Sequence, residues 1–454
     1  MTITHASTGE PGGALAGGVP WARALAALDA SLFDCVQVNL AVLAHLWRGG
    51  DAHLALGARA GFRPVAGLPP TPGPHVLPTI ERPARDLPTI ERAACDLPTI
   101  ERAACDLPTI ERPARDLLRE AEESLGFTMT GDDEQVPGDT VARHAAGGPV
   151  LLIADAFFLP WVPYAGHRHM EHGFLLADTG GTLTVVDGYH NETPWGPARP
   201  LARPIAPDAL AAVLPGGARV VRPRPDDTWT PPVARFDAAG AAVIDAYVDA
   251  YRDHPHRAAA LDRLTLETWL LSRSRRLHAA YRTAGGEAEA AHLRDWAALC
   301  ERTFLAARRV QQGRPEPDGL FDRLRDVLAA DTRVFGGTNA DVQLVGGTDV
   351  DAQVFGGTDV NVRAAVVSAV TGVLGTPPAT DTLTGLPGFS SFRAAEIVER
   401  LEADLGVELD PDDLVPETLH SIEGLARATR RARDDTPASA HATGTTDTTR
   451  TETL

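Results

Sequence analysis

The sequence predicts an α+β chain, and three observations carry that expectation. Between 147 and 189 the text is strand-like: "GGPVLLIADAFFLPW" (147–161) and "HGFLLADTGGTLTVVDGY" (172–189) are rich in aliphatic and β-branched residues. Over 235–330 it turns helical, as in "LETWLLSRSRRLHAAYRTA" and "HLRDWAALCERTFLAARRV". A last helical stretch, 359–430, stands apart behind a Gly-Gly-Thr repeat. A chain of 454 residues has room for two or three domains with sizeable cores.

The formal charge is −19, and the basic residues are arginines, with no lysine. So acidic a chain argues against a nucleic-acid partner and against an anionic membrane surface. The start, "MTITHASTGEPGGALAGG", has no basic region followed by an apolar core, so it does not read as a signal peptide. No apolar run approaches the ~20 residues of a membrane span. Cys35, Cys95, Cys105 and Cys300 have unlike spacings and no C-x-x-C pair, which suggests a reduced, cytoplasmic protein.

In chain order, residues 1–20 read as disordered. "DASLFDCVQVNLAVLAHLWRGG" (29–50) reads as a helix: Asp34 can cap it, Val38, Val42 and Leu46 share a face, and Gly49 stops it. A tandem ten-residue repeat follows over 77–116, "LPTIERPARD", "LPTIERAACD", "LPTIERAACD", "LPTIERPARD". A proline in each copy forbids one continuous helix, and the repeat is expected to be an exposed insertion. The strand text runs to 189, and a helical extension is expected over 201–332. The second repeat, "FGGTNADVQL", "VGGTDVDAQV", "FGGTDVNVRA", reads as a flexible linker over 333–358. Residues 431–454 read as a polar, disordered tail.

The hairpin at 172–189 begins with a histidine and ends near an aspartate. If Thr179-Gly180 form a two-residue loop, facing residues have numbers summing to 359, which places His172 opposite Asp187. Their Cβ atoms would lie roughly 4.5–5.5 Å apart, the reach an aspartate needs to orient an imidazole. Taken alone, the hairpin reads as a His–Asp pair packed at a sheet end with no chemistry.

"GLPGFSSFRAAEIVERLEADLGVEL" (385–409) resembles the acyl carrier protein family. "VNVRAAVVSAVTGVLG" fits a first helix, "GFSSF" takes the place of Gly-Phe-Asp-Ser-Leu, Glu396-Ile397 match Glu-Leu on helix two, and "DLVPETLHSIEGLARA" matches the third and fourth helical segments. The resemblance implies a four-helix carrier domain over 359–430 with 4'-phosphopantetheine on Ser391. It also implies a phosphopantetheinyl transferase as partner, with an acyl-activating enzyme or polyketide/nonribosomal peptide machinery to load the arm. Glu396, Glu399 and Glu402 would offer these partners an acidic face. The family's aspartate before the serine is here Ser390.

A carrier implies acyl-thioester chemistry, which draws attention to a thiol for His172 and Asp187. Cys95 and Cys105 occupy a repeat phase filled by Arg85 and Arg115 in the sister copies, which fits spacer. Cys300 shares a helical face with Leu293, Trp296 and Phe304, which fits core. Cys35 remains, in the first turn of a helix, where the dipole and free N–H groups favour a thiolate and its own N–H can serve an oxyanion hole.

A cysteine at a helix start, "VLLIADAFFLPW", and a His-led hairpin ending in Asp together resemble the butirosin-biosynthesis protein H acyltransferase family. That family is papain-like and similar to the double-glycine leader peptidases. The resemblance covers 21–200 and implies Cys35 as nucleophile, His172 as base and Asp187 as its orienter. Where the leader peptidases place a glutamine six residues before the cysteine, this chain has Asp29; Gln37 and Asn39 are nearby polar candidates, in a helical phase that solvent exposure explains equally. In "HRHMEH", His167, His169 and His172 are metal-ligand types, but no fourth ligand is apparent and no metal is expected. Asp155 reads as a buried hydrogen-bonding residue or an anchor for a substrate amine.

The expected function is transfer of an acyl or aminoacyl group from a phosphopantetheine thioester, through Cys35, to a small-molecule amine or hydroxyl acceptor in specialised-metabolite biosynthesis. The alternatives are a cysteine hydrolase (thioesterase or peptidase) and a non-catalytic binding domain fused to a carrier.

Overall fold

The computed structural model describes residues 19–66, 107–112, 114–131, 135–193, 195–282, 285–336, 359–386, 388–410 and 413–435. The chain divides into two units, 1–346 and 347–454. The first is mixed helix and sheet and the second is helical.

At the centre of the first unit is helix α2 (Cys35–Arg48), preceded by α1 (Val19–Ala27) and a 3-10 turn at Ala30–Leu32. Asp34 caps α2 through Oδ1, which accepts from the N–H groups of Val36 (2.8 Å) and Gln37 (2.7 Å). Gln37 Oε1 returns a bond to the Asp34 N–H, completing a capping box. Gly49, at φ 71°, ends the helix, as its sequence predicts. From Cys35 to Ala44 every residue except Gln37 is buried, so α2 is a core helix rather than a surface one.

Its partner is a seven-stranded antiparallel sheet in the order β2 (Phe127–Thr130), β10 (Ala218–Pro225), β4 (Val150–Asp155), β5 (Glu171–Asp178), β6 (Leu183–Asp187), β9 (Leu201–Pro204), with β3 (Gln135–Val136) also on β10. The central strands β4 and β5 are apolar almost throughout because both faces are covered. Four short strands, β1 (Arg59–Gly61), β7 (Asn191–Thr193), β8 (Gly196–Ala198) and β11 (Arg235–Asp237), lie outside this sheet; β7 pairs with β8, and β1 with β11. Two glycines let α2 approach. A Cβ on Gly173 would sit 3.1 Å from the Cys35 carbonyl oxygen, and one on Gly188 would sit 2.9 Å from a Val38 methyl.

Helix α3 (Ala114–Leu125) packs beside α2, and a second core joins α4 (Ala241–Arg252), α5 (Arg257–Arg282), α6 (Glu287–Gln311) and α7 (Leu320–Phe335). In that layer Asp331 is buried and accepts from Arg275 Nε (3.0 Å), His292 Nε2 (2.8 Å) and Trp296 Nε1 (3.0 Å). Burial works against its charge, but Arg275 and these hydrogen bonds hold the carboxyl below its ordinary range.

Several expected boundaries move. The sheet runs past residue 200, because β10 supplies a central strand. Helix α7 runs to Phe335, inside the expected 333–358 linker, because Phe335 is buried against the rings of Phe236, His278 and His292. Residues 337–358 lie outside the described residues. Of the 77–116 repeat, residues 77–106 also lie outside, but the last copy is no exposed insertion: Leu107 and Ala114 are buried, and Ala114 opens α3.

The second unit holds α8 (Asp359–Leu374), α9 (Ser391–Leu405), α10 (Pro416–Leu419) and α11 (Ile422–Asp435). Helix α11 continues past 431, into the expected tail, because Ala432 is buried and Arg431 pairs with Asp413 at 2.7 Å. Residues 1–18 and 436–454 lie outside the described residues. Among the described residues no helix is long and apolar enough to cross a membrane.

Candidate active site

The β5–β6 hairpin pairs Leu175 with Val186 and Asp178 with Leu183, so facing residues sum to 361 rather than 359. The loop is Gly180-Gly181, not Thr179-Gly180. Both glycines have positive φ (69° and 89°), and the Thr179 N–H closes the loop on the Thr182 carbonyl at 2.9 Å. A tight two-residue turn needs left-handed backbone at both central positions, which glycine adopts without strain and threonine does not. The shift is two places, so His172 and Asp187 keep to one face and become diagonal neighbours.

They still meet. His172 Nε2 lies 2.7 Å from Asp187 Oδ2, and both residues are buried (1% and 2% exposed). Asp187 is fixed from three sides, since Oδ2 also accepts from Trp161 Nε1 (3.1 Å) and Oδ1 from the Tyr189 N–H (2.9 Å). The Tyr189 ring stands edge-on to His172, with centroids 5.3 Å apart.

The second ring nitrogen, Nδ1, is buried and makes no hydrogen bond of ordinary geometry. Cys35 is near enough for its side chain to raise the proton affinity of the ring. Burial alone would lower that affinity. The Asp187 charge and hydrogen bond, with a smaller contribution from Cys35, outweigh burial and push the pKa up to about 10. His172 therefore carries its proton through neutral pH, with Asp187 on Nε2.

Cys35 is the first residue of α2 and is 5% exposed. Its position is set by Asn39, one turn on and fully buried. Asn39 Nδ2 donates to the carbonyls of Cys35 (2.7 Å) and Gly173 (2.8 Å), and Oδ1 accepts from the Gly188 N–H (3.1 Å). One side chain thus ties the cysteine to the residues that follow His172 and Asp187. The expectation that exposure explains the phase of Asn39 is corrected. Neither amide candidate is spare for an oxyanion: Gln37 is in the capping box and Asn39 in this clamp. Asp29 is exposed and caps the 3-10 turn, with Oδ1 accepting from the Ser31 N–H (3.1 Å). Asp34 spends Oδ1 on the cap, and burial raises its proton affinity above the ordinary carboxylate range. Among the described residues no group accepts the Cys35 N–H, so the main-chain donor expected there is available.

Sequence reasoning missed Arg273. It reaches in from α5, 7% exposed, and donates to the Phe33 carbonyl and, through Nη2, to that of His190 (3.2 Å). Its guanidinium lies 3.9 Å over the Trp269 ring. It holds the residues before Cys35 to those after Asp187. Nothing in local sequence pattern joins Arg273 to positions 240 residues earlier.

The remaining candidates separate. His169 Nδ1 pairs with Asp155 Oδ2 at 2.7 Å, His167 stacks on Trp195, and His172 is committed to Asp187. Asp155 Oδ1 also accepts from the N–H groups of Phe157 (3.0 Å) and Met170 (3.3 Å), so its carboxylate is structural. The Cys300 thiol donates to the Thr268 carbonyl (3.2 Å), and burial pushes its pKa up to about 12. Cys95 and Cys105 lie outside the described residues.

In the second unit Ser391 is the first residue of α9, and Ser390 is its cap, with Oγ accepting from the Arg393 N–H (3.3 Å). Ser390 thereby does the helix-capping work of the aspartate it replaces. Ile397 is core, and Arg393 pairs with Glu396 at 2.5 Å. Glu402 does not belong to the acidic face: it is 5% exposed and its Oε1 accepts from the Leu409 N–H (3.0 Å).

Residues 364–429 match the family described as "Phosphopantetheine attachment site". No curated protein matches the chain. The C-terminal unit therefore carries an acyl carrier domain, a site of covalent 4'-phosphopantetheine attachment. A helix that begins at Ser391, with its cap already supplied by Ser390, fits that group. The domain places the chain in acyl-thioester biosynthetic chemistry and implies phosphopantetheinyl transferase and acyl-handling enzymes as partners.

Proposed function

We propose that the first unit is a papain-like cysteine acyltransferase that works with the carrier domain fused to it, and that Ser391 bears the arm. The observation that carries this reading is the buried set Cys35, His172 and Asp187, with Nε2 of His172 on the carboxylate and the Cys35 side chain close enough to act on the ring. The resemblance of 21–200 to the butirosin protein H family supports it.

When bound, phosphopantetheine supplies an acyl group activated as a thioester. The protein's own residues would do the rest. The proton that Cys35 gives up resides on His172 before attack, as an imidazolium that Asp187 stabilises. The Cys35 sulfur adds to the thioester carbonyl while its own N–H, at the start of α2, donates to the developing oxyanion. The carbon–sulfur bond to the donor thiol breaks, His172 returns a proton to that thiol, and the acyl group remains on Cys35. An amine acceptor then adds to the acyl-Cys35 carbonyl, His172 takes the amine proton, and the Cys35–acyl bond breaks. Asn39 and Arg273 hold the two walls of the site and are positioning residues.

The test uses the full chain, converted with a phosphopantetheinyl transferase, loaded with a simple acyl group and offered amines. An amide product that requires Cys35 and His172 supports the reading. Free acid formed at the same rate with and without amines would make the protein a thioesterase. A protein whose Ser391→Ala variant still gains the arm carries it elsewhere.

A further inference from the structure

The last repeat copy meets the helical layer through its first six residues, and its remainder leads into α3 at Ala114. Leu107 is buried in the second core. Tyr251 Oη donates to the Pro108 carbonyl (2.9 Å). Thr109 exchanges two backbone hydrogen bonds with Val65 (2.8 and 2.9 Å). Thr109 Oγ1 donates to Glu267 Oε1 (2.6 Å), the Ile110 N–H donates to Glu267 Oε2 (2.7 Å), and Glu111 pairs with Arg263 (2.7 Å). Glu267 is fully buried, and burial raises its proton affinity against the pull of Arg263. Stripped of the hexapeptide it would lose two of its donors, which is costly for a buried carboxylate.

The hexapeptide Leu-Pro-Thr-Ile-Glu-Arg recurs without change at 77–82, 87–92 and 97–102. We propose that Tyr251, Arg263 and Glu267 form a sequence-specific peptide socket, and that the three upstream copies of the same chain are alternative occupants of it. Every side chain and backbone group that the socket reads in 107–112 is present in each copy, so the socket has no means of preferring one by its chemistry. Preference comes from the chain. With the third copy docked, residues 103–113 must close an eleven-residue loop to Ala114. The n-to-the-3/2 scaling makes that register about 40-fold less populated. The fourth copy therefore fills the socket in the native chain, and an upstream copy replaces it when it is damaged.

The test compares thermal midpoints of two full-length variants. Ile110→Pro deletes the N–H that Glu267 binds in the fourth copy alone. The fourfold variant adds Ile80→Pro, Ile90→Pro and Ile100→Pro. A 40-fold loop cost lowers the single variant by about 4–8 °C. The fourfold variant falls at least twice as far, and the synthetic peptide LPTIERPARD, unlike a scrambled one, restores part of the loss. Equal losses in the two variants, or a fourfold loss that the peptide leaves unchanged, would overturn the proposal. If the fourfold proline variant does not fold, Thr109→Val against Thr79→Val, Thr89→Val, Thr99→Val and Thr109→Val together makes the same comparison.

Discussion

His172 Nε2 and Asp187 Oδ2 lie 2.7 Å apart across two strands whose register places them diagonally, not face to face. The contact depends on the carboxylate being aimed, and Trp161 and the Tyr189 N–H aim it. In Asp187→Asn the amide must either present its nitrogen to one of these donors or give up the histidine. We expect acyl transfer to slow by up to about 10⁴-fold, and by less than in His172→Ala or Cys35→Ala. Single-turnover rates measure this; an Asp187→Asn rate equal to wild type would make the carboxylate structural only.

The same pair makes stability depend on pH. The pKa of His172 is raised in the folded state, from about 6.5 to about 10. The stabilisation is therefore fully present below about pH 6.5 and is lost as pH rises through about 10. Over that window this one group should cost about 1.4 kcal/mol of unfolding free energy per pH unit. Urea titrations from pH 6.5 to 10 read the slope. His172→Gln should remove it, and an unchanged slope in that variant would assign the pH dependence to other groups.

Asn39→Ala leaves the Cys35 and Gly173 carbonyls and the Gly188 N–H without their side-chain partner in a buried place. We expect a loss of about 3 kcal/mol in a urea melt, and slower alkylation of Cys35 by iodoacetamide at neutral pH in the protein that remains folded. Alkylation at the wild-type rate would show that the clamp does not position the thiol.

Asp331 offers the contrast of a buried carboxylate remote from the thiol. Removing it in Asp331→Ala leaves Arg275 buried without its charge partner, and should cost about 3–5 kcal/mol of stability. Below the unfolding temperature, the Cys35 alkylation rate should stay as in wild type. A stability loss under about 1 kcal/mol would mean that the helical layer does not depend on this network.

Parts of this arrangement are legible in the sequence because they are local. Asp34, Cys35 and Gly49 lie within one helix whose cap and stop are written in adjacent residues. The hairpin was also readable, and its true register could have been read from Gly180-Gly181, the dipeptide best suited to a turn with two positive φ angles. What was not legible is long-range. Arg273 reaches Phe33 from another layer, β10 enters the sheet centre from beyond an apparent boundary, and Glu267 turns a repeat copy into a packed segment. Asn39 illustrates the middle case: its helical phase gives a face, and only the packing of β5 and β6 shows that this face is buried.

In the proposed reaction the acyl group passes through Cys35. The most direct measurement is peptide mass mapping of the loaded full-length protein, quenched in acid before any acceptor is added. The acyl mass is expected on the peptide containing Cys35, absent in Cys35→Ser and His172→Ala, and discharged when an amine is supplied. An acyl group found only on the carrier domain, while amide product still forms with wild-type and Cys35→Ala protein alike, would contradict it.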